Sequence, residues 1–151
     1  MNRCTNTMLS AFVAICATVV APMTAHSAPA FTAVDIGYGI PIDVNAAGVI
    51  LGVDSYGGTQ PWVLSGSAKI PLPLPSGATG AQANRIGVSG AVVGQVGTQA
   101  AVWWPTGTGG YTIELLPFPT GATVGNAVKV DASGEVLVSY GTPTRLVTGL
   151  T

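Results

Sequence analysis

The chain writes one short turn-and-strand word three times, and a repeat restricts a fold more tightly than composition does. Ser89-Gly90-Ala91-Val92-Val93-Gly94 is preceded by Ala47-Gly48-Val49-Ile50-Leu51-Gly52 and followed by Ser133-Gly134-Glu135-Val136-Leu137-Val138. The turn glycines Gly48, Gly90 and Gly134 are 42 (90 − 48) and 44 (134 − 90) residues apart. A period of that length marks a tandem array of supersecondary units. In each copy a small or polar residue and a glycine free to take positive φ lead into residues dominated by Val, Ile and Leu, which reads as turn then strand.

Longer words repeat with the same period. Leu72-Pro73-Leu74-Pro75-Ser76-Gly77-Ala78-Thr79 returns as Leu116-Pro117-Phe118-Pro119-Thr120-Gly121-Ala122-Thr123, an offset of 44 (116 − 72). Gly58-Thr59-Gln60 returns as Gly97-Thr98-Gln99 and, with proline last, as Gly141-Thr142-Pro143. The strands that follow align as Pro61-Trp62-Val63-Leu64, Ala100-Ala101-Val102-Trp103 and Thr144-Arg145-Leu146-Val147, and the last two columns are apolar in every copy. Adjacent residues of a strand face opposite sides, so this strand is expected to be covered on both faces, as in a blade stacked between blades.

The first unit reads as four short strands, Phe31–Ile36, Ile40–Asn45, Val49–Val53 and Pro61–Leu64, with Pro41 favouring a sheet edge. Tyr111-Thr112-Ile113 is similar to Phe31-Thr32-Ala33 and places Phe31 at the beginning of a unit. The units span residues 31–76, 77–120 and 121–151, and the third stops before a Leu-Pro segment is due. The expected fold is all-β: tandem four-stranded antiparallel units of about 40–44 residues, forming an incomplete array like propeller blades. The alternative is a β-trefoil, which also has three four-stranded repeats and to whose Gln-x-Trp lectin motif Gln60-Pro61-Trp62 is similar.

The turn-strand words resemble the HAF repeat family of bacterial extracellular proteins, whose units carry an Asn-x-x-Gly-x-Val-Val-Gly segment followed by His-Ala-Phe-Leu-Trp. Asn45-Ala46-Ala47-Gly48-Val49-Ile50-Leu51-Gly52 and Gly87-Val88-Ser89-Gly90-Ala91-Val92-Val93-Gly94 match the first part. The eponymous positions read Gln60-Pro61-Trp62-Val63-Leu64 and Gln99-Ala100-Ala101-Val102-Trp103 instead. The resemblance, over Phe31 to Val147, implies a secreted β-repeat protein and supplies no catalytic residues.

An exported location also follows from the first residues. Arg3 precedes an uncharged apolar run from Met8 to Ala21, the pattern of a signal peptide. Small residues at Ala25 and Ser27, and again at Ala28 and Ala30, put cleavage after Ser27 or Ala30, so residues 1–27 are read as leader. The run is shorter than the roughly 20 apolar residues of a membrane span. Cys16 follows Ile15 rather than a small residue, unlike a lipoprotein signal. Cys4, Cys16 and His26 all fall in the leader, so the mature chain holds neither Cys nor His, and thiol nucleophiles, imidazole bases and the usual zinc ligands go with them.

The remaining charges are Lys69, Arg85, Lys129 and Arg145 against Asp35, Asp43, Asp54, Glu114, Asp131 and Glu135, a net of 4 − 6 = −2. Such a chain has no basic stripe for nucleic acid and no polybasic segment for an anionic membrane. The segment from Asp43 to Gly48 partly resembles an oxygen-rich calcium loop. Its counterpart from Arg85 to Gly90 lacks a carboxylate, and a hydrogen-bonded Asx turn accounts for both. No two acids recur at equivalent places as a glycosidase pair would require, and no glycine loop for phosphate leads into a helix.

Among the aromatic residues, Trp103 shares a column with Leu64 and Val147 and reads as core. Trp104 shares one with Ser65 and Thr148, and Trp62 one with Ala101 and Arg145, which makes these two the candidates for a ligand-stacking surface. The functional expectation is an exported, non-enzymatic binding module for a protein or glycan partner, without cofactor, metal or catalytic residues. A small carbohydrate-binding module is the alternative, and a hydrolase the least favoured reading. Because an open array leaves an apolar face bare at each end, self-association through the end units is also expected.

Overall fold

The structure is a computed structural model that describes Ala33, residues 35–142 and the backbone of Arg145–Leu150. The leader, both cleavage sites and Phe31 lie outside the described residues, as do the side chains of Arg145, Val147 and Thr148. Eleven strands and no helix occur among the described residues: β1 (Ile40–Val44), β2 (Ile50–Val53), β3 (Pro61–Ser65), β4 (Ala68–Pro71), β5 (Gln82–Ile86), β6 (Val92–Val96), β7 (Gln99–Pro105), β8 (Tyr111–Leu115), β9 (Val124–Val130), β10 (Val136–Thr142) and β11 (Arg145–Leu150). They form three antiparallel meanders, β1-β2-β3-β4, β5-β6-β7-β8 and β9-β10-β11. The protein is therefore all-β, built of one small sheet per repeat. No helix of the described residues is long and apolar enough to cross a membrane.

The strands of the first sheet are not quite those read from the sequence. Its fourth member is β4, whereas Asp35–Gly37 is irregular, with the Gly37 amide donating to the Asp35 carboxylate at 2.8 Å. Residues 68–71 lie between the Pro61–Leu64 strand and the Leu72 word, to neither of which the sequence assigns them. What makes them a strand is the Gly66-Ser67 turn between the paired residues Ser65 and Ala68. Gly66 is the first central residue of this two-residue loop and has φ +61°. That is the type II′ arrangement, whose twist matches that of the flanking strands. Gly97, at φ +57°, does the same between Val96 and Gln99. Tyr111-Thr112-Ile113 opens the last strand of the second sheet rather than a unit, so its likeness to Phe31-Thr32-Ala33 does not mark a unit's beginning.

The first strand of each sheet, β1, β5 and β9, is its inner strand where β5 packs against β1 and β9 against β5, and each carries a β-bulge that the sequence did not announce. Ile42 is skipped where β1 pairs with β2, Asn84 where β5 pairs with β6, and Val128 where β9 pairs with β10. These residues are 42 (84 − 42) and 44 (128 − 84) apart, in register with the turn glycines. A bulge sharpens the local twist, and its recurrence gives the three inner strands a common bend. Opposite the second bulge stands Gly94, paired with Ala83.

Stacking between sheets forms the core. β5 packs against β1 and β2, and β9 against β5, β6 and β7. One apolar cluster joins Leu51, Val63 and Leu72 of the first unit to Val92, Val96, Ala101 and Trp103 of the second. Another joins Val93, Ala100 and Val102 of the second to Ala127, Val136, Val138 and Tyr140 of the third. Successive residues of β7 thus enter different clusters, and Ala100, Ala101, Val102 and Trp103 are all fully buried. This two-sided burial bears out the blade-like reading. It corrects the trefoil alternative, in which strands of three repeats close one barrel: here each repeat keeps its own sheet, because its middle strands are apolar on both faces and need a neighbour on each.

A methyl group at Gly94 would overlap the Gln82 carbonyl oxygen, so the bulge and the close approach of β5 both depend on glycine there. Gly94→Ala is expected to lower stability by roughly 1–3 kcal/mol or more, as overpacking does. Gly107→Ala, where nothing lies near the added methyl, should stay within about 0.5 kcal/mol of wild type. Urea titrations of the two variants check the contrast.

Candidate functional site

The hairpin turns that lead from β1, β5 and β9 are the first place where polar side chains gather. Asn45 accepts hydrogen bonds at Oδ1 from the Ala47 and Val49 amides, both at 3.0 Å, and donates from Nδ2 to the Gly87 carbonyl of the next unit at 3.0 Å. Asp131 plays the same local part in the third unit, accepting from the Ser133 amide at 2.9 Å, the Glu135 amide at 2.8 Å and the Ser133 hydroxyl at 2.8 Å. Between them stands Gly87, where a methyl would meet the Val130 side chain, so the close third sheet leaves no room for an Asx side chain. Asp43 accepts from the Ile86 amide at 3.0 Å and lies 3.8 Å from the Arg85 guanidinium. The oxygens that resembled calcium ligands are thus directed at backbone amides and a cation, and they fasten the first sheet to the second.

The Gly-Thr-Gln and Leu-Pro words meet in a second recurring arrangement. Gln60 Nε2 donates to the Leu72 carbonyl at 2.7 Å and Gln99 Nε2 to the Leu116 carbonyl at 3.0 Å. Each Leu-Pro crossover is held on its other side by an aromatic donor of the next unit. Trp103 Nε1 donates to the Pro73 carbonyl at 2.7 Å, and the Tyr140 hydroxyl to the Pro117 carbonyl at 3.2 Å. The Thr59 carbonyl accepts from the Ala81 amide, and the Thr98 carbonyl from the Gly125 amide, completing the seam between sheets. Gln60 is therefore a crossover clamp, as Gln99 is.

The two tryptophans singled out from the sequence lie apart. Trp62 is 1% exposed, its ring against Gly39 and Gly52, with the Lys69 ammonium 4.4 Å from the ring centroid. Lys69 also bridges to Asp54 at 2.6 Å and donates to the Tyr38 carbonyl at 2.9 Å, so a cation–π contact is locked over the indole. Trp62, a candidate for a ligand-stacking surface, thus has its indole buried. The glycines beneath the ring let it lie flat on the sheet, a feature that column alignment with Ala101 and Arg145 does not reveal. Trp104 is half-buried beside Gly134, and its Nε1 donates to the Glu114 carboxylate at 2.8 Å. Its ring bridges the second and third sheets and leaves only part of its surface free.

A cleft of about 650 Å³ opens where the first sheet meets the second. Thr59, Thr79, Gln82, Asn84 and Gln95 supply its polar groups, while glycines 57, 58, 80 and 97 keep its walls low. No charged side chain among the described residues lines it. The bulge residues Ile42 and Asn84 both line it, and so does the exposed Gln82. Asn84 is oriented by donating to Asn126 at 2.6 Å and to the Ala127 carbonyl at 2.8 Å. Tyr56, next in sequence to the lining residue Gly57, is 93% exposed. Sequence reasoning found the Gly-Thr-Gln and Gly-Ala-Thr words that supply this cleft, but gave no sign that Thr59 and Thr79 of successive segments would face each other. The chain matches no protein-family model and no curated protein.

The hydroxyl of Ser133, followed by the Glu135 amide, holds the Asp131 carboxyl below its ordinary range. A depressed carboxyl pKa contributes stability that is present above the unfolded-state value and lost as pH falls through the folded one. Asp131→Asn places in the third turn the residue that the first turn already has at Asn45. This variant should melt within a few degrees of wild type at pH 7 and lose less stability on acidification. Thermal melts of both proteins between pH 7 and pH 2 read the difference.

Proposed function

We propose that this chain is an exported, non-enzymatic binding module whose ligand seat is the cleft between the first two sheets. The observation that carries the reading is the lining itself: among the described residues, amides and hydroxyls without a charged group, with the exposed Tyr56 next in sequence to the lining residue Gly57. Such groups both donate and accept hydrogen bonds, and suit a neutral ligand rich in hydroxyls or peptide groups. The carboxylates contribute elsewhere. Asp43 joins the first sheet to the second, Asp54 is paired with Lys69, Glu114 holds Trp104 and Asp131 caps a turn. Each of these four carboxylates has a structural engagement of its own.

The glycan alternative is favoured by one observation in particular, the exposed Tyr56, next in sequence to the lining residue Gly57, since aromatic faces and amide side chains together recognise sugars. The signal-peptide pattern and the likeness to extracellular HAF repeats support export. Glycan and peptide arrays probed with the mature protein test the reading. A ligand found there should bind at least about tenfold more weakly to Gln82→Ala, a loss of roughly 1.4 kcal/mol, and equally well to Trp104→Phe. Undiminished binding by Gln82→Ala would move the seat elsewhere, and turnover of chromogenic glycoside or ester substrates by the purified chain would overturn the non-enzymatic assignment.

A further inference from the structure

Hydrogen bonds within the protein fix the polarity of two side-chain amides in the cleft. Asn84 Nδ2 donates to Asn126 Oδ1 at 2.6 Å and to the Ala127 carbonyl at 2.8 Å, so both of its amide protons are engaged by the third sheet. Gln95 Nε2 donates to the Gly97 carbonyl at 2.5 Å. A backbone carbonyl can only accept, and such a partner decides which end of an amide is nitrogen. Neither group can turn over without setting oxygen against oxygen.

What each amide has left over is an acceptor. Asn84 Oδ1 and Gln95 Oε1 have no partner among the described residues, and neither is sealed from solvent, since the buried side-chain polar atom without a partner there is Trp62 Nε1. Both residues line the cleft, together with Gln82, which stands opposite Gln95 in the β5–β6 ladder. Gln82 has no side-chain hydrogen bond among the described residues, so its amide is free to present either end. The bulge residues that correspond to Asn84 in the other sheets are the apolar Ile42 and Val128. The polar bulge side chain thus occurs where the first and second sheets form the cleft.

We infer, on the reading that this cleft is the ligand seat, that Asn84 Oδ1 and Gln95 Oε1 determine its specificity and that the ligand is a neutral glycan whose hydroxyls donate to them. A hydroxyl fits this lining better than a peptide N–H does. The oxygen that donates to a fixed acceptor also accepts from Gln82, Thr59 or Thr79, whereas an N–H only donates. Methylation of the same hydroxyls sets ether oxygens against the two amide oxygens and leaves both without a donor. A site built to hydrogen-bond a group rejects the analogue that lacks it far more strongly than an apolar pocket does.

Nuclear magnetic resonance of the side-chain amides in the mature protein tests the polarity first and the ligand class second. The Asn84 amide protons should exchange with solvent at least about tenfold more slowly than those of Gln82. The methyl glycosides of glucose, mannose and galactose then serve as probes, each beside its permethyl ether, with a doubly blocked dipeptide as the peptide control. At least one glycoside should shift the Gln82, Asn84 and Gln95 side-chain signals while its ether leaves them in place. Gln95→Ala, which gives up only a local bond, should weaken that glycoside about three- to tenfold, the share of one hydrogen bond. Asn84 protons that exchange as fast as those of Gln82, an ether that shifts the same signals as its parent, undiminished binding by Gln95→Ala, or binding of the dipeptide alone would overturn the inference and leave the seat in place. If no probe moves the cleft signals, the seat reading falls together with the inference.

Discussion

Two-sided burial of the middle sheet is the constraint on which the rest of the structure depends. Ala100, Ala101, Val102 and Trp103 are consecutive and all fully buried, which a sheet with one solvent face cannot achieve. Sheets of three or four short strands have little core of their own, so each gains most of its apolar burial from the next. Truncating a side chain such as Trp103 to alanine would cost roughly 3–5 kcal/mol on that basis. Because stacking requires close approach, polar groups in the seam must be satisfied by the neighbouring sheet. Gln60 and Gln99 hold one side of each crossover, Trp103 and Tyr140 the other, and Asp43, Asn45 and Asn84 reach across at the inner strands.

Seen from this seam, the composition of the chain makes sense. Few charges are present, and those near the junctions are absorbed: Asp43 by the Ile86 amide and Arg85, Lys69 by Asp54 and the Trp62 ring. Glycine appears where sheets or rings come close, at Gly39, Gly52, Gly87 and Gly94, and where the two-residue hairpins need positive φ, at Gly66 and Gly97. What remains for function is the neutral polar cleft, whose walls are low because glycine lines them and which two bulge residues also line.

Much of the fold was legible because hydrophobic alternation and turn glycines are local. The repeat period, the all-β class and the double-faced strand at Ala100–Trp103 follow from residues adjacent in sequence. The bulges at Ile42, Asn84 and Val128 were not legible, since an unpaired residue has no composition of its own and shows only in register. β4 was missed because Ile70-Pro71 reads equally well as strand end or as crossover. The candidate site was hardly legible at all. The burial of Trp62 depends on the close approach of Gly39 and Gly52, which column alignment does not show, and the cleft depends on Thr59, Thr79 and Gln82 meeting across a seam.

The central claim is that the three sheets stand as one cooperative stack rather than as separate hairpin units. Native-state hydrogen exchange measures this directly. The account predicts that the ladder amides of β2–β3, β6–β7 and β9–β10 converge, as denaturant rises, on one opening free energy equal to that of global unfolding, with β6–β7 slowest in water. Separate plateaus for the three sheets, or a first sheet that opens while the second keeps its protection on both faces, would contradict it.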